Sequence, residues 1–162
     1  MMGNKIISKR FIALASDHAG FRYKEALKYF LPMEGYHVMD FGTDSARPVD
    51  YPLIIRPAAE AVANGECALG VVLGGSGNGE AMVANKVKGI RCAVCWNRES
   101  ARLAREHNDA NMISIGQRMV TLKTTLEIVR AWLRAEFKGG RHRRRLAEMK
   151  EAEFGPKKQK IV

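Results

Sequence analysis

Short apolar runs alternate with helix-patterned segments along most of this chain. Runs of four to six residues with strand character occur five times, at 11–15, 36–41, 69–73, 90–95 and 112–115. Strands that are apolar along their whole length are buried on both faces, as they are inside a parallel sheet. The segments between the runs are long enough for the crossover helices that parallel strands need. The pattern therefore predicts an α/β fold with three layers, α/β/α, around a five-stranded parallel sheet.

The helical segments and the chain length together indicate a single domain. Helical spacing is found at 21–31, 53–64, 80–87, 98–107, 121–137 and 141–153. A length of 162 residues suits one domain of common size. Gly155 and Pro156 end the last helical segment, and a short basic segment follows. We therefore expect one domain over 1–154 and a flexible basic tail over 155–162.

The chain is strongly basic, with 27 Lys and Arg against 17 Asp and Glu and a net charge of +10. Such an excess suits nucleic acid, an anionic membrane or a phosphorylated small molecule as a partner. Residues 138–162 alone carry a net charge of +6, so the rest of the chain is close to neutral. A basic carboxyl-terminal end on a nearly neutral body is a weaker indication of nucleic-acid binding than a basic face along the whole chain. No apolar run approaches the length needed to span a membrane. We therefore expect no nucleic-acid partner and no membrane partner.

Three cysteines are too few for a disulfide framework, which favours a reducing compartment. Cys92 and Cys95 form a C-x-x-C pair inside the predicted strand 90–95. Residues three apart in a strand point to opposite faces, which is poor geometry for a disulfide or a shared metal. We therefore interpret both residues as core thiols. Because the amino terminus has no apolar signal region, the sequence predicts a soluble, cytoplasmic protein.

A glycine-rich loop, Gly74-Gly-Ser-Gly-Asn-Gly-Glu-Ala81, follows the third predicted strand. Its glycines allow a tight turn and present backbone N–H groups to an anion at the start of a helix, although an ordinary tight connection is the alternative. Glu80 and Ala81 stand where a nucleoside triphosphate loop needs Lys and Ser or Thr. The dinucleotide fingerprint also fails at Glu80. Neither a nucleoside triphosphate nor NAD is therefore expected.

A carboxylate beside a set of backbone N–H groups suits proton abstraction next to a carbonyl. Glu80 would remove the carbon-bound proton while the N–H groups stabilise the enolate oxygen. This chemistry needs no metal and no organic cofactor. The alternative for Glu80 is a solvated side chain in the first turn of a helix, where it offsets the helix dipole.

Histidines near other strand ends extend this candidate site. Ligands of open α/β sheets bind at the carboxyl ends of the strands. Asp17 and His18 follow the first predicted strand, and His107 and Asn108 lie in the connection into the fifth. We expect all four residues at or near the same active edge.

Arginines in two places suit a phosphate. Arg118 follows the fifth predicted strand, and five residues at 141–145 include four arginines. Guanidinium groups bind phosphate oxygens in a fork geometry. A solvated helix face is the alternative for the second group, and we prefer it for Arg143 and Arg144.

Taken in order, these motifs resemble the ribose-5-phosphate isomerases of type B, in the sugar-phosphate isomerase family that also contains the galactose-6-phosphate isomerase subunits. The resemblance covers about residues 10–150 and is carried by the segments 16–24, 50–52, 74–91, 105–111, 116–118 and 140–142. It implies a Rossmann-like sheet and a homodimer or homotetramer whose active sites are shared between subunits. It also implies interconversion of ribose 5-phosphate and ribulose 5-phosphate through a cis-enediolate.

The resemblance also implies residue roles. In one branch of the family the base is a Cys directly before the glycine-rich loop, where this chain has Gly74, whereas Glu80 stands where the other branch keeps its catalytic Glu. By the same matching, His107 would assist ring opening as the proton donor. The enediolate would be held by Gly75, Ser76, Gly77, Asn78 and Gly79, and the sugar hydroxyls and phosphate by Asp17, His18, Tyr51, Asn108, Arg118, Arg141 and Arg145.

Other functions compatible with the sequence are a six-carbon sugar phosphate isomerase, for instance for allose 6-phosphate, and a sensor that binds a sugar phosphate without turnover. A basic nucleic-acid-binding protein is a third, but it rests on charge alone. The carboxyl-terminal region has no aromatic-interleaved RNA motif and no obvious recognition helix.

Overall fold

The computed structural model describes residues 10–155, so the expected tail lies outside the described residues except for Gly155. The strands are β1 (Phe11–Ser16), β2 (His37–Asp40), β3 (Leu69–Gly74), β4 (Cys92–Val94) and β5 (Met112–Gly116). The helices are α1 (Phe21–Met33), α2 (Tyr51–Ala63), α3 (Asn78–Ala84), α4 (Arg98–Asn108), α5 (Leu122–Arg134) and α6 (Arg141–Phe154). Within 10–155, no helix is both long and apolar enough to cross a bilayer.

All five strands are parallel and lie in the order β2-β1-β3-β5-β4. Buried side chains of α1, α4 and α5 pack on one face of the sheet, and those of α2 and α3 pack on the other. The predicted α/β/α fold is confirmed. Because α1 and α2 leave the sheet on opposite faces, the strand order reverses between β1 and β3, and a crevice forms at their carboxyl ends.

The core is divided by the alternation of side chains along each strand. Ile12 and Leu14 of β1 belong to the cluster under α1 and α5, whereas Ala13 belongs to the cluster under α2. Cys92 and Cys95 lie in different clusters, and both thiols are buried and free, so the prediction of two core thiols is confirmed. Burial raises the pKa of Cys95 to about 12, which disfavours the reactive thiolate.

Strand β4 and helix α5 are shorter than the sequence predicts. The apolar run 90–95 contributes only Cys92–Val94 to β4, because the Ile90 N–H donates to the Val87 carbonyl and the Arg91 N–H to the Asn111 side chain. These two residues therefore lead into the strand instead of pairing in it. The helix predicted over 121–137 ends at Arg134, since the next residue has extended backbone.

Candidate active site

The glycine-rich loop after β3 is fastened to β5. The Arg118 N–H donates to the Gly75 carbonyl at 3.0 Å, and the Ser114 hydroxyl donates to the Gly77 carbonyl at 2.6 Å. Gly77 has a φ of 83°, a left-handed conformation that glycine adopts without strain, and α3 begins directly after it. The first N–H groups of α3 have no acceptor within the helix, as at every helix start.

Glu80 lies in the first turn of α3 and is only 3% exposed. Burial raises the pKa of Glu80, and the charge of Asp17 adds to this effect, while a hydrogen bond from the Glu80 backbone N–H opposes it. A solvated side chain that merely offsets the helix dipole does not fit this burial. Glu80 is instead a carboxyl whose proton affinity is raised, at the mouth of the crevice between β1 and β3.

The Glu80 carboxylate packs directly on Gly74. A methyl group built on Gly74 would overlap the Glu80 carboxylate. The carboxylate therefore occupies the space that a side chain at position 74 would take. A side chain at position 74 and the Glu80 carboxylate thus exclude each other from one place in the crevice.

Asp17 reaches the same place from the end of β1. Its Oδ1 accepts hydrogen bonds from the N–H groups of Ala19 at 2.9 Å and Gly20 at 3.0 Å, and the side chain is buried. These two bonds hold the carboxylate in the turn between β1 and α1. Its charge is close enough to Glu80 to act on the pKa of that carboxyl.

Three more of the expected binding residues surround the loop. The Val49 N–H donates to His18 Nδ1 at 3.3 Å, so a neutral His18 carries its proton on Nε2. The Tyr51 ring packs on Gly79, where an added methyl group would lie 2.8 Å from its Cζ. Arg118 is exposed beside the loop, with Nη1 3.4 Å from a methyl group built on Gly75. Together with Asp17 and the loop, these residues form the carboxyl-edge cluster.

The other expected site residues form a second cluster at the opposite edge of the sheet. Helix α4 runs from the carboxyl edge to the amino edge and ends with His107 and Asn108, just before β5 begins. The start of α6 brings Arg141, His142 and Arg145 to this place, where the rings of His142 and His107 stack. We call these residues the amino-edge cluster.

The expectation that His107 and Asn108 share an edge with Asp17 and His18 is therefore wrong within one chain. A connection that leads into a parallel strand ends at the amino end of that strand, so the predicted topology itself contained the signal. The five residues of β5 separate the two edges by about 16 Å. Glu80 and His107 of one chain consequently lie at opposite ends of the sheet.

Sequence reasoning also overlooked His142. Its neighbours in the sequence are arginines, which predict a solvated helix face. His142 itself is nearly as buried as a core residue. Its neighbour in the fold, His107, is 35 positions earlier in the chain, and no local pattern links the two. Arg143 and Arg144 are exposed, in agreement with their interpretation as solvated charges.

A groove of about 850 Å³ lies between α6 and β4 and adjoins the amino-edge cluster at Asn108. The carboxylate of Glu153 on α6 accepts the Gly89 N–H at 2.7 Å, which holds the far end of α6 against the body of the protein. The apolar side of the groove includes Leu146 and Met149 of α6. Helix α6 therefore bridges the groove instead of packing closely on the sheet.

Ligands for a metal ion do not converge in the part of the chain that the structure describes. Among residues 10–155, no group of three or more His, Cys, Asp and Glu side chains lies close enough to hold one. Asp17 and Glu80 are neighbouring carboxylates at the crevice, and one oxygen of Asp17 is already engaged by backbone N–H groups.

Several known proteins are similar to this chain in sequence and in structure. The model of the ribose/galactose isomerase family matches residues 12–149. Ribose-5-phosphate isomerase B of Mycolicibacterium paratuberculosis is 44% identical over 144 residues, which is 88% of this chain and 91% of the relative. The structure of ribose-5-phosphate isomerase B of Clostridium thermocellum is 49% identical with a TM-score of 0.87, covering 89% of this chain and 97% of that one. The Mycoplasma genitalium enzyme of the same name, solved with bound ribulose 5-phosphate, is 35% identical with a TM-score of 0.85, covering 90% and 97%.

Proposed function

The chain belongs to the ribose/galactose isomerase family, and we propose that it interconverts ribose 5-phosphate and ribulose 5-phosphate. The observation that carries this proposal is the buried Glu80 carboxylate beside the glycine-rich loop at the crevice of the sheet. The bound ribulose 5-phosphate of the Mycoplasma genitalium relative supports a pentose phosphate as the ligand class.

Glu80 acts as the base in this proposal. It takes the proton from C2 of the open-chain aldose, and the released electron pair forms a C1–C2 double bond while the carbonyl oxygen O1 becomes negative. The resulting cis-enediolate is held by Asn78 and the N–H groups of Gly75–Gly79. The O2 proton then passes to O1, C1 receives the proton held by Glu80, and C2 becomes the ketone carbon. A raised pKa suits this role, because a base is most effective when its pKa approaches the working pH.

His107 assists ring opening by donating a proton to the ring oxygen of the cyclic sugar, while the bond from C1 to that oxygen breaks and the C1 hydroxyl loses its proton to water as the C1 carbonyl forms. In a single chain His107 is too far from Glu80 to act on the same sugar, so we propose a dimer in which the carboxyl-edge cluster of one chain meets the amino-edge cluster of another. The sugar hydroxyls and phosphate are then bound by Asp17, His18, Tyr51 and Arg118 from one chain and by Asn108, Arg141 and Arg145 from the other.

Exposed apolar side chains support such an association. Met82, Trp96 and Met119 are large, mostly exposed residues that follow the carboxyl ends of β3, β4 and β5. They therefore lie on the side of the sheet where a partner chain would have to approach Glu80. Groups of exposed apolar residues of this kind are typical of protein interfaces.

The direct test is turnover of ribose 5-phosphate by the purified protein in the presence of EDTA, with ribulose 5-phosphate as the measured product. Glu80→Gln is expected to lower kcat by about 1,000-fold, the range of general base catalysis, while sugar-phosphate binding measured by calorimetry persists. Glu60→Gln, on the exposed surface of α2, is the matched control and should keep the wild-type rate. A Glu80→Gln variant with the wild-type rate would exclude Glu80 as the base.

The same assay with allose 6-phosphate examines the six-carbon alternative. The proposal predicts a higher kcat/KM for ribose 5-phosphate than for the six-carbon sugar. The reverse order would keep the reaction type and change the substrate. Absence of turnover on both sugars, with binding intact, would identify a sensor instead of an enzyme.

A further inference from the structure

Two histidine rings are stacked in the amino-edge cluster. The ring centroids of His107 and His142 are 4.2 Å apart, and the ring planes differ by only 8°. His107 comes from the last turn of α4 and His142 from the first turn of α6. His142 is 8% exposed, so its ring is buried where it meets His107. Within residues 10–155, neither imidazole takes part in a side-chain hydrogen bond.

Backbone and side-chain contacts hold the start of α6 in this position. The Lys138 N–H donates to the Glu106 carbonyl at 3.0 Å, and the Lys138 ammonium lies 2.7 Å from the Glu106 carboxylate. The His142 N–H then donates to the Gly139 carbonyl at 3.1 Å, which closes the first turn of α6. The segment between α5 and α6 is thus tied to the residue directly before His107. This arrangement delivers the His142 ring onto the His107 ring.

The charges around the stack oppose a proton on His142. Burial lowers the pKa of His142, and the charges of His107, Arg141, Arg145 and Lys138 lower it further. The carboxylates that α4 contributes near the stack are engaged elsewhere: Glu106 with Lys138 and Arg102, and Glu99 with Arg102. They leave the positive charges around His142 dominant.

We propose that His142 is a positioning residue for His107: its ring is the platform that fixes the plane of the His107 imidazole. This inference rests on the proposed function, in which His107 is the proton donor for ring opening. Two parallel imidazolium rings in face-to-face contact repel each other, so the pair carries no more than one proton charge.

The proposal separates two steps of the reaction. A platform under the proton donor matters for opening the cyclic sugar, which requires a proton at the ring oxygen. It does not matter for proton transfer between C1 and C2, which Glu80 performs at the other edge of another chain. An aldose phosphate that lacks the 4-hydroxyl cannot form the five-membered ring, so it reaches the enzyme already open.

The test measures both substrates with variants of His142. His142→Gln removes the ring and is expected to lower kcat on ribose 5-phosphate by about 30-fold, because small displacements of a catalytic group are costly. On the 4-deoxy analogue it should act like the wild type. His142→Phe, which restores an aromatic platform, should recover most of the loss. Arg144→Gln, on the exposed face of the same helix, is the control.

A second readout is the protonation of His142, followed by the nitrogen chemical shifts of its ring. His142 should stay neutral across the pH range of activity. In His107→Phe it should take up its proton at higher pH, since the neighbouring charge is gone. A His142 titration that His107→Phe leaves unchanged would contradict the charge coupling.

The outcomes distinguish this inference from the proposed function. Equal losses by His142→Gln on both substrates would show a general structural defect and overturn the inference, as would an unchanged rate on ribose 5-phosphate. If Glu80→Gln and His107→Gln abolish turnover while His142→Gln keeps the wild-type rate on ribose 5-phosphate, only the role of His142 fails. If Glu80→Gln and His107→Gln leave turnover intact, the roles proposed for Glu80 and His107 fail, and if the wild type does not convert ribose 5-phosphate, the proposed function itself fails.

Discussion

At Gly74 the backbone passes so close to the Glu80 carboxylate that no side chain fits between them. The carboxylate reaches the crevice because position 74 has no Cβ. The same contact removes Glu80 from water, and this burial raises its pKa. One missing side chain therefore determines both where the carboxylate lies and how strongly it holds a proton.

Gly74→Ala is expected to displace the Glu80 carboxylate and lower kcat by about 100-fold, because a shift of about 1 Å in a catalytic group has this cost. Gly70→Ala, at the other end of β3, is the matched control. Its added methyl group meets the flexible side chain of Met112, so it should cost about 1 to 3 kcal/mol of stability with no loss of kcat. Steady-state kinetics and urea unfolding of both variants check this. Equal kcat in the two variants would contradict the argument.

Glu80 also links stability to pH. Its raised pKa means that the folded protein binds this proton more tightly than the unfolded chain does, so Glu80 favours the folded state below the usual Glu range and loses this effect as pH rises through the raised pKa. Glu80→Gln should therefore have a higher melting temperature than the wild type at about pH 8, and this difference should vanish towards about pH 4. Thermal unfolding followed by circular dichroism measures it. A difference that is constant with pH would point to altered packing instead.

At the scale of elements, α1 and β2 are joined by a buried ion pair. The Lys24 side chain is fully buried, with its ammonium 2.6 Å from Asp40 and 2.9 Å from Glu25. Burial alone would raise the pKa of Asp40, but hydrogen bonds from Lys24, the Gly42 N–H and Lys28 outweigh it and hold that pKa below its usual value. This pair fastens the carboxyl end of β2, from which the chain continues to the segment that contacts His18.

That segment is bound to the end of β1 at several points. The Ser16 N–H donates to the Gly42 carbonyl and the Thr43 N–H to the Ser16 carbonyl, both at 2.8 Å. The Val49 N–H then reaches His18. The ion pair of α1 and β2 thus supports the backbone that orients one side of the carboxyl-edge cluster.

Substitution of Asp40 and substitution of Lys24 should lower the stability of the protein by different amounts. Asp40→Asn leaves the buried Lys24 ammonium with Glu25 as its remaining carboxylate and is expected to destabilise the protein by about 3 kcal/mol. Lys24→Met should cost only about 1 to 2 kcal/mol, because Asp40 is partly exposed and keeps Lys28 and the Gly42 N–H. Urea unfolding at neutral pH measures both.

An exposed pair provides the control for this comparison. Arg56→Gln breaks the contact between Arg56 and Glu60 on the surface of α2 and should cost less than about 1 kcal/mol. If Asp40→Asn is no more destabilising than Arg56→Gln, the Lys24 ammonium is not held as the structure indicates.

At the scale of the whole molecule, the two clusters lie at opposite edges of one sheet. A dimer that joins the carboxyl-edge cluster of one chain to the amino-edge cluster of the other contains two sites, each with a Glu80 and a His107 from different chains. This division makes the proposed assembly testable without a structure of the complex.

Mixing two inactive variants should restore activity. In a mixed dimer of Glu80→Gln and His107→Gln chains, one site keeps both residues, so random exchange of subunits should recover about a quarter of the wild-type activity. The control mixes Glu80→Gln chains with chains that carry both substitutions, in which no site is complete. Activity assays after reversible unfolding of the mixtures supply the measurement. A mixture as inactive as its parents would refute shared sites.

The order of strands and helices, the glycine-rich loop and the candidate base at Glu80 were all predictable from the sequence. These features depend on local properties: the period of apolar residues, the lack of a Cβ at consecutive positions, and the residue type that follows the loop. The edge at which His107 lies was predictable in principle from the parallel topology, although the residue was first expected at the other one.

Only the tertiary structure decided which polar groups lose contact with water. The burial of Glu80 against Gly74, the enclosure of Lys24 between α1 and β2, and the stack of His142 on His107 each depend on segments that are separated along the chain. The raised pKa of Glu80 and the lowered pKa of His142 follow from that packing and not from residue type. The sequence by itself therefore determined the fold and the residues available for chemistry, whereas the packing determined which of them meet and in what state of charge.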